Sequence, residues 1–306
     1  VQDDERQHER TEPQRSGDKP IPDARLSREE YIEQAYFFRR LLDRYPGNEP
    51  VQELMASIQQ EVLSTTKLPM AIEFMLGELK HSGGFAQAMS RLSHYFTSFQ
   101  TFLIREAEDD RGRFDLRIAF AILCKEAEYR AEKATTQGEF LFQFETLCRN
   151  RLSYDRGLAA MAEDPIYDAA WRNWILTVRR QIGLVDLADM IYVRSAHYRP
   201  RRRDLTVEDP ALVQPLFGDK EGRIALANRR KDPLVLFASL QRQLGYPVVP
   251  RPERASETID LLPQLARRVE RMEARLKLLE EEQKGGIDLT KFYGGKHPFA
   301  LPGDDS

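Results

Sequence analysis

The sequence predicts an all-α fold: a multi-helix bundle, a proline-rich spacer and a C-terminal coiled-coil helix. Three observations predict it. Apolar residues recur at spacings of three and four, most regularly at Phe85, Met89, Leu92, Phe96, Phe99 and Leu103. Glycine, proline and short polar residues punctuate these stripes where helix ends belong. No convincing period-two alternation marks a strand between residues 27 and 197.

Residues 1–26 hold few apolar side chains and cannot offset the entropy of ordering, so they are read as a disordered arm. Ser27 and Glu30 have capping-box spacing and open a first helix carrying Tyr31, Ala35, Phe38 and Leu42. Its end, Leu42 to Pro50, resembles the close of a tetratricopeptide repeat. No second copy follows at the period of about 34 residues, so a repeat array is not expected. Pro50 and Pro69 suit the first turns of helices near 51–66 and 69–80.

The stretch 85–103, flanked by Tyr95 and Phe102, predicts one broad, aromatic central helix. Residues 114–123 are apolar nearly all round, then charged through Glu126, Glu128, Arg130 and Glu132, which places this helix deep at one end of the bundle. After Gly138, Phe140, Phe144, Cys148 and Leu152 form a four-spaced stripe. Glu145 to Arg149 and Arg151 to Asp155 have helical ion-pair spacing. Asp164-Pro165 signals a helix bearing Tyr167, Trp171, Trp174, Val178 and Ile182, stopped by Gly183, and a last bundle helix spans about 185–197. Residues 27–197 thus form the bundle, with about eight helices.

Residues 198–255 form an irregular Pro/Arg-rich segment, with short helices near 221–229 and after Asp232-Pro233. Residues 256–284 form the coiled-coil helix. Leu262, Val269 and Leu276 take a positions, and Leu265, Met272 and Leu279 take d. Arg268 and Arg275 fall at g while Glu273 and Glu280 fall at the following e, which pairs opposite charges between parallel chains. The strings 268–273 and 275–280 resemble a signature of parallel trimers, while the core composition suits a dimer as well. A parallel homo-oligomer, trimer or dimer, is the expectation. Gly285-Gly286 ends the helix and residues 285–306 are a flexible tail whose Phe292, Tyr293 and Phe299 suit docking on a protein partner.

Composition narrows the function. At 306 residues, 41% hydrophobic, 31% charged and net charge −3, the chain has no global attraction for nucleic acid or membrane. No run of about 18 apolar residues occurs, so no membrane span is expected. Cys124 and Cys148 lie in apolar helical patterns as buried thiols, which fits the cytoplasm. A removed upstream targeting segment stays open, because the chain starts at Val1.

Chemical motifs are sparse. Glu78 and His81 share a helix face as in di-iron carboxylate bundles, but the second Glu-x-x-His pair is missing, and His94 beside the aromatic stripe has no convergent ligands. No metal, cofactor or catalytic residue is assigned. The chain has no nucleophile elbow and no phosphate loop, and the glycine-spaced run Gly218 to Arg223 follows no strand. The basic side chains Arg194, Arg199, Arg201, Arg202, Arg203, Arg229, Arg230 and Lys231 suit phosphate or another anion, yet pairing with the chain's own acidic helices is preferred. The leading reading is a non-enzymatic structural or adaptor protein that self-assembles through its C-terminal helix. A nucleic-acid-associated oligomer comes second, and an enzyme with a site in the bundle third. A polar pocket with titratable groups inside residues 70–197 favours the enzyme; a solid apolar core disfavours it.

Overall fold

The structure is a computed structural model, and it describes residues 26–45, 50–82, 84–109, 114–132, 134–198 and 215–252. The described residues form twelve helices and no strand, apart from two isolated bridges. They are α1 (Arg28–Arg44), α2 (Val51–Gln59), α3 (Leu68–Ser82), α4 (Phe85–Arg91), α5 (Ser98–Glu108), α6 (Leu116–Ala131), α7 (Thr136–Asn150), α8 (Tyr154–Ala162), α9 (Ala169–Gln181), α10 (Leu187–Val193), α11 (Asp219–Ala227) and α12 (Pro233–Leu244). No helix among them is long and apolar enough to cross a membrane.

Burial follows the apolar stripes. α1 and α6 form the most extensive helix pairing, and Phe37, Phe38 and Leu41 of α1, Phe120, Ile122 and Leu123 of α6, and Leu54, Ile58, Ile72 and Met75 of α2 and α3 are buried in one core. Farther along the chain, Phe140 contacts Phe144, Trp171, Trp174 and Phe217, with ring centroids 4.7–6.5 Å apart. Phe237 of α12 packs on Phe144, and the Tyr246 hydroxyl donates to Glu145 at 2.7 Å. Val249 is buried, and Asn150 Nδ2 donates to the Pro250 carbonyl. This unit ends at Arg251, and a second unit begins at Pro252.

The expected single helix over 85–103 is two. α4 ends at Arg91, with Leu92 as its C-cap, and α5 starts after Thr97, whose hydroxyl accepts from the Gln100 amide while Gln100 Oε1 accepts from the Thr97 amide. The turn keeps Leu92, Tyr95 and Phe96 buried, so burial follows the stripe although the helix does not. A strong capping box overrides an unbroken apolar period. Thr97→Ala is expected to cost about 1 kcal/mol of stability in urea denaturation.

Other boundaries move for similar local reasons. The Ser27 hydroxyl caps Glu30, but the Glu30 carboxylate reaches the Lys67 amide and the Tyr95 hydroxyl. α7 opens at the Thr135 cap, with Gly138 inside its first turn, and closes at Arg151, a left-handed residue with φ 55°. Ser153 caps α8, and Asp155 pairs with Arg179 instead of Arg151. Asp168, not Asp164, caps the helix that carries the tryptophans, by accepting from the Trp171 amide. Asp164 is thereby free to turn inward.

Candidate functional site: a buried carboxylate and guanidinium centre

Two i, i+4 pairs build the centre. Glu126 and Arg130 share a face of α6, and Glu139 and Gln143 share a face of α7. Asp164 enters from the connection between α8 and α9, and Tyr167 follows it. The side chains of Glu126, Glu139 and Asp164 are 0% exposed and that of Arg130 is 3% exposed. Burial this complete is costly for charges unless they are paired and hydrogen-bonded.

Pairing is dense. Arg130 Nη2 lies 3.1 Å from Glu126 Oε1, 2.7 Å from Glu139 Oε1 and 2.5 Å from Asp164 Oδ2. Its Nε donates to Glu139 at 3.0 Å and its Nη1 to Asp164 at 3.3 Å. Gln143 Nε2 donates to Glu126 at 2.9 Å and sits 3.3 Å from both Glu139 and Asp164. The Tyr167 hydroxyl donates to Gln143 Oε1 at 2.8 Å and so fixes the amide's orientation. Gln100 Nε2 of α5 donates to Glu126 Oε2 at 3.2 Å and contacts Gln34 of α1. Four helices and one connection therefore meet on these groups.

The three carboxylates bring one oxygen each within 4.8 Å of one another, a spacing that suits a cation. Arg130 Nη2 bonds to all three groups and is the cation they hold. Despite burial, the Asp164, Glu139 and Glu126 carboxylates keep its guanidinium charged, well above the ordinary arginine range. Burial pushes the Glu139 carboxyl well above the usual carboxylate range, with Arg130 opposing and Glu126 and Asp164 reinforcing the rise. Burial likewise pushes the Tyr167 hydroxyl up.

Cavities flank the centre. One of about 270 Å³ is lined by Leu26, Arg28, Tyr31, Arg130, Ala131, Ala134 and Ile166. A smaller one of about 50 Å³ shares Leu26 and Tyr31 and reaches Gln34, Gln100 and His94. The Tyr31 ring stands 6.0 Å from the Arg130 guanidinium, and Arg28 ties the start of α1 to the Ala131 carbonyl. Arg130 is the member of the ionic centre that lines the larger cavity.

Glu78 and His81 do not converge on a ligand set: His81 is exposed and Glu78 pairs with Arg91 at 2.9 Å. His94 is exposed on the smaller cavity. Among the basic residues, Arg229 pairs with Asp189 and lies over the Tyr192 ring, while the backbone amide of the exposed Arg230 donates to Asp186. Arg194 is half-buried and its carbonyl accepts from Leu216 and Phe217; Lys231 is exposed. Arg199, Arg201, Arg202 and Arg203, and the heptad residues from Leu262 to Glu280, lie outside the described residues. Gly218 to Arg223 begins α11, where Gly222 packs against Ser195 and His197. Both thiols are unpaired, and burial raises them, Cys148 to about 11.

The buried centre carries no motif that sequence reading isolates. Its signal is a pair of i, i+4 polar couples inside otherwise apolar stripes, Glu126 with Arg130 and Glu139 with Gln143. No family model matches the chain, and neither a curated protein nor a solved structure does.

Proposed function

We propose that this chain is a self-assembling structural or adaptor protein, in which a rigid helical body carries an oligomerising helix over residues 256–284. The observation that carries this reading is the agreement of two patterns on one parallel register. Leu262, Leu265, Val269, Met272, Leu276 and Leu279 form an unbroken apolar seam, and Arg268, Arg275, Glu273 and Glu280 complement one another across it. The body supports it by closing its own core at Tyr246 and Val249, ahead of the seam. Its titratable centre, where Arg130 lines a cavity, is the feature that favours an enzyme, but its carboxylates are fully buried and bonded to Arg130, an arrangement that braces helices. The nucleic-acid reading loses support where Arg229 is neutralised by Asp189. Two unpaired cysteines suit a reducing compartment, and we place the protein in the cytoplasm.

Light scattering of the full chain tests the reading. The parent is expected at two or three times its monomer mass at micromolar concentration, and Leu265→Asp with Leu276→Asp at the monomer mass. A monomeric parent, or variants that keep the assembled mass, overturns it.

A further inference from the structure

We propose that the buried centre holds one proton between the carboxyl groups of Glu139 and Glu126, so that folding of the bundle takes a proton up from solution. Three carboxylates face one guanidinium, which leaves two negative charges unbalanced if all are ionised. The oxygens are not equally served. Glu139 Oε1 accepts from Arg130 and Gln143, whereas Glu139 Oε2 is fully buried and meets no donor. An ionised oxygen in that position forfeits its hydration without replacement. A carboxylic acid there carries no charge to be solvated, and the Glu126 carboxylate, with an oxygen within 4.8 Å of one of Glu139's, is the neighbouring acceptor.

The groups around Glu139 leave it the best place for the proton. From α6, Arg130 stays charged and Glu126 already accepts from Arg130, Gln143 and Gln100. From the connection after α8, Asp164 accepts from Arg130 on both oxygens and also from the Ile166 amide, while Tyr167 keeps its own proton on Gln143. From α1, Tyr31 faces Arg130 and Gln34 contacts Gln100. One proton on Glu139 leaves one net negative charge, which the amide donors of Gln143, Gln100 and Ile166 offset.

Linkage gives the sign. The unfolded carboxyl ionises near 4.5, and burial raises the folded one above it. The folded state therefore binds the extra proton, and the stability it contributes is full below about pH 4.5 and is lost as pH rises through the folded value.

The test compares urea unfolding of the full chain and of Glu139→Gln, which keeps the shape and mimics the neutral form, over about pH 5 to 9. The folding constant of the variant relative to the parent is expected to rise about tenfold per pH unit across the folded window. The parent is expected to show an infrared carbonyl band of a protonated carboxyl at pH 7 that the variant lacks. A pH-independent ratio, or a band that persists in Glu139→Gln, overturns the proposal. Stabilisation of the parent by millimolar Mg²⁺ or Mn²⁺ that the variant does not share overturns it too, because the balancing charge is then a metal. If the variant does not fold, the parent decides alone: a band at pH 7 that exchanges with deuterium only on unfolding supports the proton, and its absence ends the idea.

Discussion

Arg130→Met is expected to lower the stability of the bundle by about 3–5 kcal/mol in urea denaturation at pH 7, enough to leave a marginal domain mostly unfolded. The size follows from what stays behind. Methionine fills much of the same volume, so little packing is lost, but Glu126, Glu139 and Asp164 remain 0% exposed with no cation among them. Protonation offers them partial relief, so the deficit is expected to be smaller at pH 5 than at pH 8. A quadruple variant, Arg130→Met with Glu126→Gln, Glu139→Gln and Asp164→Asn, is expected to recover most of the loss, since a neutral, similarly sized core replaces an uncompensated charged one. A loss under about 1 kcal/mol for the single change would mean that the centre is open to water or that Arg130 does not pair as described.

Phe140→Ala, made alone, is expected to cost about 3–5 kcal/mol by a different mechanism. Phe140 is 0% exposed at the meeting point of α7, α9 and the segment before α11, within ring contact of Trp171, Trp174 and Phe217. Truncation there leaves a void whose walls are rigid rings from three separate parts of the chain, which cannot collapse together to refill it. Both tryptophans of the chain border this void, so near-ultraviolet circular dichroism should lose intensity before the far-ultraviolet helical signal falls. An unchanged aromatic spectrum with a midpoint close to the parent's would show that Phe140 is not at the centre of this cluster.

The sequence by itself determined that the described chain is helical and that its main apolar stripes turn inward. The spacing of Phe85, Met89, Phe99 and Leu103 predicts burial that the structure contains, because side-chain direction on a helix depends on local geometry alone. It also located the Ser27 cap and the helix start at Asp232-Pro233, where one residue and its near neighbours hold the whole signal. Helix breaks needed more. Thr97 with Gln100, and Ser153 after Arg151, compete with an apolar period that runs straight through them, and it is their local caps, not the period, that set where the helices end. The ionic centre was decided by tertiary structure altogether. Glu126, Arg130, Glu139 and Asp164 each look like ordinary helix-surface or cap residues in the sequence, since charge is usually solvated. What makes them a centre is that α6, α7 and the α8–α9 connection converge within hydrogen-bond distance and exclude water, a relation between segments up to 38 residues apart that no local pattern encodes.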